Sequence, residues 1–251
     1  MYRCKNTLAS KCPYICPIEP CLLDAHTGVS IPTIHRKTFN ANTCIAREYV
    51  PISGLCVVVS GIVKISEHTK KGKQRIKRFV FPGEFIKLFP WHSVPSGNVM
   101  ALSEVRVCFI DYHWNGKEGE FISPEIDRAL LRAAAWEKYH GDLWQQIMMH
   151  RKPCDRIICF LIDIAERSEH AKCNDRTIEI PMTRSDMADY LGLNRETVSR
   201  NLSKLRELGY ISFLNRSICV IRNIESLKSI FDFTTYVSPF KENDLTTELT
   251  Y

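Results

Sequence analysis

The sequence predicts an α+β protein built from an N-terminal β-roll of the jelly-roll kind, one long helix, and a C-terminal winged helix-turn-helix. Three observations predict it. Short apolar or alternating runs punctuated by turn residues fill residues 38–112. A stretch of helix formers opened by Pro124 then reaches His150 without another proline. Two short amphipathic segments separated at Gly192 precede an alternating hairpin near the end of the chain. With 251 residues, 45% of them apolar and 25% charged, the chain has ordinary globular composition and enough length for one large core or two ordinary ones.

Residues 1–35 carry no periodic pattern and hold CPYICPIEPC, which places Cys12, Cys16 and Cys21 among three prolines. Residues 36–123 read as the roll. The runs TFNANTCIAREYVP, GLCVVVSGIVKISEH, QRIKRFVFPGEFIKLF and VMALSEVRVCFIDY are its strands, with a hairpin turn around Gly72. Residues 124–150 predict a helix roughly 40 Å long at about 1.5 Å per residue, weakest at Gly141. A helix of that length joins domains or pairs with a second copy of itself.

Residues 151–237 form the last domain, followed by a polar tail over 238–251. CDRIICFLIDIAERSEHA puts Ile157, Leu161, Ile164 and Ala165 on one helical stripe, and TIEIPMT reads as a strand running into a helix start. Thr183 and Asp186 have capping-box spacing, with Met187, Ala188 and Leu191 as the apolar face that follows. Gly192 ends this helix and Asn194 is placed to cap the next, whose Val198, Leu202 and Leu205 face inward. Gly209 closes it, and ISFLNRSICVI supplies the wing.

The outward residues of that second helix are Arg195, Glu196, Ser199, Arg200 and Lys204. Arginine can chelate guanine O6 and N7, glutamate can accept from cytosine N4, and serine can meet either kind of base edge. They crowd the part of a recognition helix that meets bases in double-stranded DNA. A solvated charged helix is the plainer reading of RETVSR alone; the complete helix-turn-helix favours DNA. The net charge of +6 permits a polyanionic partner without requiring one.

No secretory leader and no apolar run long enough to span a bilayer is visible, so a cytoplasmic protein without membrane contact is expected. In that compartment 11 cysteines, an odd number, argue against a disulfide framework and for metal ligation, redox chemistry or burial. No Gly-rich phosphate loop, HExxH or GxSxG occurs, and no enzyme is expected.

MTRSDMADYLGLNRETVSRNLSKLRELGYI resembles the winged helix-turn-helix of the CRP/FNR superfamily of bacterial transcription regulators. VSGIVK, FPGEF and the long helix are similar to that superfamily's cyclic-nucleotide-binding-like roll and dimerisation helix, so the resemblance covers the chain from about residue 35. It implies a homodimer, joined over residues 126–149, that binds a pseudo-palindromic operator and works with RNA polymerase. Glu196, Ser199 and Arg200 look like the base-reading set of the FNR branch, whereas Arg195 looks like a CRP-branch residue. The resemblance therefore leaves TTGAT-like and TGTGA-like half-sites both open. At the Gly72 hairpin the FNR branch carries an acid that touches RNA polymerase, where this chain has Lys73, which leaves activation and repression open.

The segment ALSEVRVCFIDY resembles the FNR segment that supplies the fourth ligand of an oxygen-labile 4Fe-4S cluster. On that likeness Cys12, Cys16, Cys21 and Cys108 are the iron ligands and the regulator responds to oxygen, controlling genes for low-oxygen metabolism. The inner spacing C-x3-C-x4-C differs from FNR, while the outer pair is similarly separated. Chemistry alone also allows the assignment, because a cubane cluster takes one thiolate per iron and a close triplet in a proline-rich loop can wrap it while a strand cysteine anchors it. Other readings stay open: a zinc site on Cys4, Cys12, Cys16 and Cys21, a metal-free thiol switch, or N-terminal thiols without a role and Cys108 as a small buried residue. A haem or nitric-oxide sensor could use His92 or His113. No cyclic nucleotide is expected, since the roll offers no arginine between Lys87 and Glu104, and Glu84 reads as a turn residue. Cys44, Cys56, Cys154, Cys159, Cys173 and Cys219 read as structural.

Overall fold

Two four-stranded antiparallel sheets make the roll because the central runs are apolar on both faces and the turns between them need glycine. The computed structural model describes residues 33–47, 54–69, 72, 74–87, 97–111, 124–167 and 177–229. Cys4, Cys12, Cys16, Cys21, Lys73, His92, His113 and Cys173 lie outside them. The strands are β1 (Thr33–Phe39), β2 (Cys44–Ala46), β3 (Leu55–Ser60), β4 (Val63–His68), β5 (Gln74–Val80), β6 (Phe85–Lys87), β7 (Asn98–Ala101) and β8 (Val105–Asp111). They pair in the orders β1-β8-β3-β6 and β2-β7-β4-β5. Strand β1 pairs antiparallel with β8 along its whole length, Thr33 opposite Asp111.

Between the sheets Cys56, Val58, Val63, Ile65, Val80, Val99, Val105 and Val107 form one buried cluster. Alternation along β8 puts Val105 and Val107 on this inner face and turns Cys108 and Ile110 to the other. The β3–β4 turn requires Gly61: its φ is +79°, and a Cβ there would lie 2.2 Å from the carbonyl oxygen of Glu104.

The long helix α1 (Pro124–Met149) matches the predicted span, passes through Gly141 without a break, and buries Leu143 and Ile147. Among the described residues no helix is long and apolar enough to cross a membrane. Helix α2 (Pro153–Arg167) departs from the one-stripe expectation. All nine residues from Ile157 to Ala165 are buried. The predicted Ile157, Leu161, Ile164 and Ala165 are among them, but this helix sits at the centre of a second core that also takes Ile62, Ile76, Phe79 and Phe81 from the roll, Leu143 and Ile147 from α1, and the helix-turn-helix behind it. Phe160, Phe79 and Tyr190 meet there with ring centroids 4.9–6.0 Å apart.

The last domain continues with β9 (Thr177–Glu179), α3 (Arg184–Leu191), α4 (Arg195–Glu207), β10 (Ile211–Phe213), β11 (Ile218–Ile221) and the short α5 (Ile224–Ser229). The β10–β11 hairpin is the predicted wing, extended by β9 on the far side of β11. Helix α3 also lies against the edge strand β5. Asp189 Oδ2 accepts a hydrogen bond from the Ile76 amide at 2.6 Å, so a backbone donor that an edge strand leaves unpaired is satisfied across the domain junction.

Candidate nucleic-acid interface

The helix-turn-helix is held by reciprocal bonds that its sequence specifies. Thr183 is in extended conformation and its hydroxyl accepts from the Asp186 amide at 3.0 Å, while Asp186 Oδ2 accepts from the Thr183 amide at 3.0 Å. This is the predicted capping box. The other oxygen of Asp186 takes the ammonium of Lys64 on β4 at 2.6 Å. Burial alone would raise the Asp186 carboxyl, but the hydrogen bonds from Lys64 and Thr183 outweigh it and hold the group below the ordinary carboxylate value.

Gly192 ends α3 at φ +62°, ψ +38°, where a residue with a Cβ is strained and would press on the methyl of Met148 at 3.1 Å. Asn194 has the extended backbone of an N-cap and its carbonyl accepts from the Val198 amide at 3.0 Å, yet its side chain makes no capping hydrogen bond, contrary to the sequence expectation. The Leu193 amide on the Ala188 carbonyl closes the turn just before it. Val198, Leu202 and Leu205 are buried as predicted, at 0%, 3% and 2% exposure. Gly209, at φ +78°, lets the chain leave α4 for the wing.

This packing rotates one face of α4 outward. Arg195, Glu196, Ser199, Arg200 and Lys204 are all exposed on it. A row of two guanidiniums, an ammonium, a carboxylate and a hydroxyl on a helix anchored from behind can meet base edges and phosphates without moving the core. The sequence did not single out Arg216, which the wing turn places beside Asn215 and Ser217 at an open cleft against Thr177 and Glu179.

Of the four proposed iron ligands only Cys108 is among the described residues. It is buried, at 5% exposure, on the central strand β8, opposite Arg36 of β1 and Val57 of β3. A cysteine sulfur fixed on a strand paired on both sides, with Leu55, Val57 and Ile110 buried around its face, fits one anchor of a cluster. No group of three or more metal-ligating side chains occurs among the described residues, and Cys12, Cys16 and Cys21 are not among them. Cys56, Cys159 and Cys219 are fully buried, and burial pushes the last two thiols up to about 12, which removes them from thiolate chemistry at neutral pH. Cys44, by contrast, is exposed on the short strand β2.

The comparisons with known proteins agree with this architecture. A cyclic nucleotide-binding domain model matches residues 36–113 and a Crp-like helix-turn-helix model matches residues 155–230. The nitrogen fixation regulation protein FixK of Azorhizobium caulinodans is 30% identical over 182 residues, covering 69% of this chain and 70% of that protein. The chain belongs to the CRP/FNR family of transcription regulators. The transcriptional activator protein anr of Pseudomonas aeruginosa is 27% identical over 182 residues, covering 71% of this chain and 73% of that one. Among solved structures, FixK2 from Bradyrhizobium japonicum superposes with a TM-score of 0.65 at 26% identity, covering 78% of this chain and 96% of that chain. As a CRP/FNR regulator with a complete helix-turn-helix, the chain is a DNA-binding protein and not an enzyme.

Proposed function

We propose that this regulator is a homodimer that reads a two-fold operator with Arg195, Glu196, Ser199, Arg200 and Lys204, and senses oxygen through a 4Fe-4S cluster on Cys12, Cys16, Cys21 and Cys108. The observation that carries the DNA half is the exposed polar face of α4 fixed by a buried Val198, Leu202 and Leu205. Glu196, Ser199 and Arg200 read the bases, Arg195 adds a guanine contact, and Lys204 meets a phosphate. Pairing of α1 with a second copy sets the two recognition helices about one DNA turn apart. Genes for low-oxygen metabolism are the targets, in keeping with the nitrogen-fixation regulator among the relatives. RNA polymerase is the second partner.

When bound, the cluster supplies oxygen lability. Cys108 would hold it on β8, and Cys12, Cys16 and Cys21 would supply the other three thiolates. In this reading, losing the cluster would release the N-terminal cysteines from Cys108 and weaken the dimer, which would couple the signal to DNA. A monomer covers one half-site and loses the linked second contact, so a modest change in dimerisation becomes a large change in occupancy. The carboxylate of Glu84 is engaged by Arg167, Trp136 and the Phe81 amide, which supports a sensor that does not use it for a cyclic nucleotide.

The test is iron and acid-labile sulfide content with the absorption spectrum on protein purified without oxygen, beside Cys108→Ser. About four irons and four sulfides per chain, lost in the variant and in air, support the sensor. Metal-free protein that still binds an inverted repeat refutes the cluster and leaves the DNA reading standing.

A further inference from the structure

The two matched domains and α1 meet at one buried guanidinium. Arg167, at the C-terminal end of α2, is 8% exposed and donates to both oxygens of Glu84, Nε to Oε1 at 2.9 Å and Nη2 to Oε2 at 2.8 Å. Nη2 also reaches the carbonyl of Phe79 at 3.0 Å, and the guanidinium carbon lies 4.2 Å from the centroid of the Phe81 ring. Its remaining nitrogen, Nη1, donates to Asp163 Oδ2 at 3.0 Å, and Asp163 Oδ1 pairs with His140 Nδ1 of α1 at 3.1 Å. Trp136 of α1 donates to Glu84 Oε1 at 3.4 Å. One side chain of the DNA-binding domain thus grips the β5–β6 turn of the roll and, through Asp163, the long helix.

The geometry is of a kind only arginine supplies. The planar fork gives a bidentate pair to Glu84 and a third bond at an angle to Asp163, while its face stacks on Phe81. Burial is the largest influence on both carboxylates and opposes their charge, but the charge and hydrogen bonds of Arg167, together with His140, outweigh it and hold both below the ordinary carboxylate values. Such a junction has one low-energy arrangement, since any swivel of the last domain strips partners from two buried carboxylates at once. Two further polar contacts across the same junction, Lys64 to Asp186 and the Ile76 amide to Asp189, have their acceptors on α3 and are made together with the fork in this structure.

We propose that Arg167 is a positioning residue for DNA binding: its fork on Glu84 and Asp163 sets the angle between the roll with its long helix and the helix-turn-helix, and so the separation at which two recognition helices of a dimer meet DNA. The proposal rests on the reading of a dimer on two half-sites. Arg167 itself touches no DNA. Its loss leaves each recognition helix intact and relaxes only the geometry between the two.

The experiment uses the full chain as wild type, Arg167→Lys and Glu84→Gln, with two readouts. In amide hydrogen exchange, the Ile76 amide, which is bonded across the junction, exchanges about 10–100-fold faster in both variants, while Val198 and Leu202 within α4 keep wild-type protection. In binding to duplexes carrying an inverted TTGAT or TGTGA repeat, with half-site centres about one turn apart or widened by about two base pairs, wild type prefers the first spacing about ten-fold or more and the variants lose that preference. Variants that keep both the Ile76 protection and the spacing preference overturn the proposal. Uniform loss of protection in β5 and α4 overturns it too, by making Arg167 a general stabiliser. Wild type that binds either spacing and a single half-site equally well refutes the dimeric reading, and hydrogen exchange then decides the positioning role alone.

Discussion

Asp186→Ala separates two duties that one carboxylate performs at the start of the helix-turn-helix. The first is its half of the capping box, the carboxylate accepting from the Thr183 amide, worth about 1 kcal/mol when removed. The second is the 2.6 Å bond to Lys64 of the roll, in a pair whose side chains are only 17% and 11% exposed. Removing the acceptor leaves a half-buried ammonium without its charged partner, which costs about 1.5–3 kcal/mol. The expected total is about 2.5–4 kcal/mol, against about 1 kcal/mol for Thr183→Ala, which loses the cap alone. Urea unfolding of the two variants, followed by tryptophan fluorescence and helical circular dichroism, measures both. A cycle with Lys64→Met isolates the pair, with an expected coupling of about 1 kcal/mol or more. If Asp186→Ala costs no more than Thr183→Ala, the contact between β4 and α3 contributes nothing and the account of the junction is wrong.

Arg200→Ala should lose about 1–3 kcal/mol of binding to the preferred duplex with no change in urea midpoint, because the side chain is exposed; unchanged affinity removes Arg200 from the base-reading set. Gly192→Ala should destabilise by about 1 kcal/mol, since alanine must adopt φ +62° and push the Met148 methyl aside, and a stabilised variant would show that this turn rearranges. Phe160→Ala should cost about 3–5 kcal/mol through loss of packing on Phe79 and Tyr190, read as the shift of the urea midpoint; a cost under about 1 kcal/mol would mean the core collapses around the gap. Glu84, Asp163 and Asp186 are all held below their ordinary values, so the unfolded chain binds more protons than the folded one as pH drops through the carboxylate range. Their stabilisation is present above that range and lost on acidification, and a urea midpoint that holds or rises between about pH 6 and pH 3 contradicts the sign.

Where neighbours in sequence are also partners in space, the residues alone were enough. Thr183 with Asp186, Gly192, Gly209 and the Val198, Leu202, Leu205 spacing are each a one- or two-turn relation, and each is realised. The roll was legible for the same reason, because alternation and turn glycines act locally; the pairing of β1 with β8 was not, since those partners stand far apart in the chain. Asn194 shows the limit even at short range: its backbone takes the N-cap conformation and its carbonyl opens α4, but its side chain makes no capping bond, and residue type at a cap position does not fix the side chain's rotamer.

The sequence by itself determined the class of fold, the order of its parts and the outward set Arg195, Glu196, Ser199, Arg200 and Lys204, because helical and strand periods assign faces before any tertiary contact exists. Only the tertiary structure decided that α2 is buried all round, that Glu84 is an anchor for Arg167 more than a turn residue, and that Lys64, Ile76 and Asp186 bind roll to helix-turn-helix. Those pairs are separated by 83 to 122 positions, and no periodicity carries information over that distance. Long-range pairs of charge and backbone are chosen by which surfaces the packed cores bring together, and that choice is made by the fold as a whole.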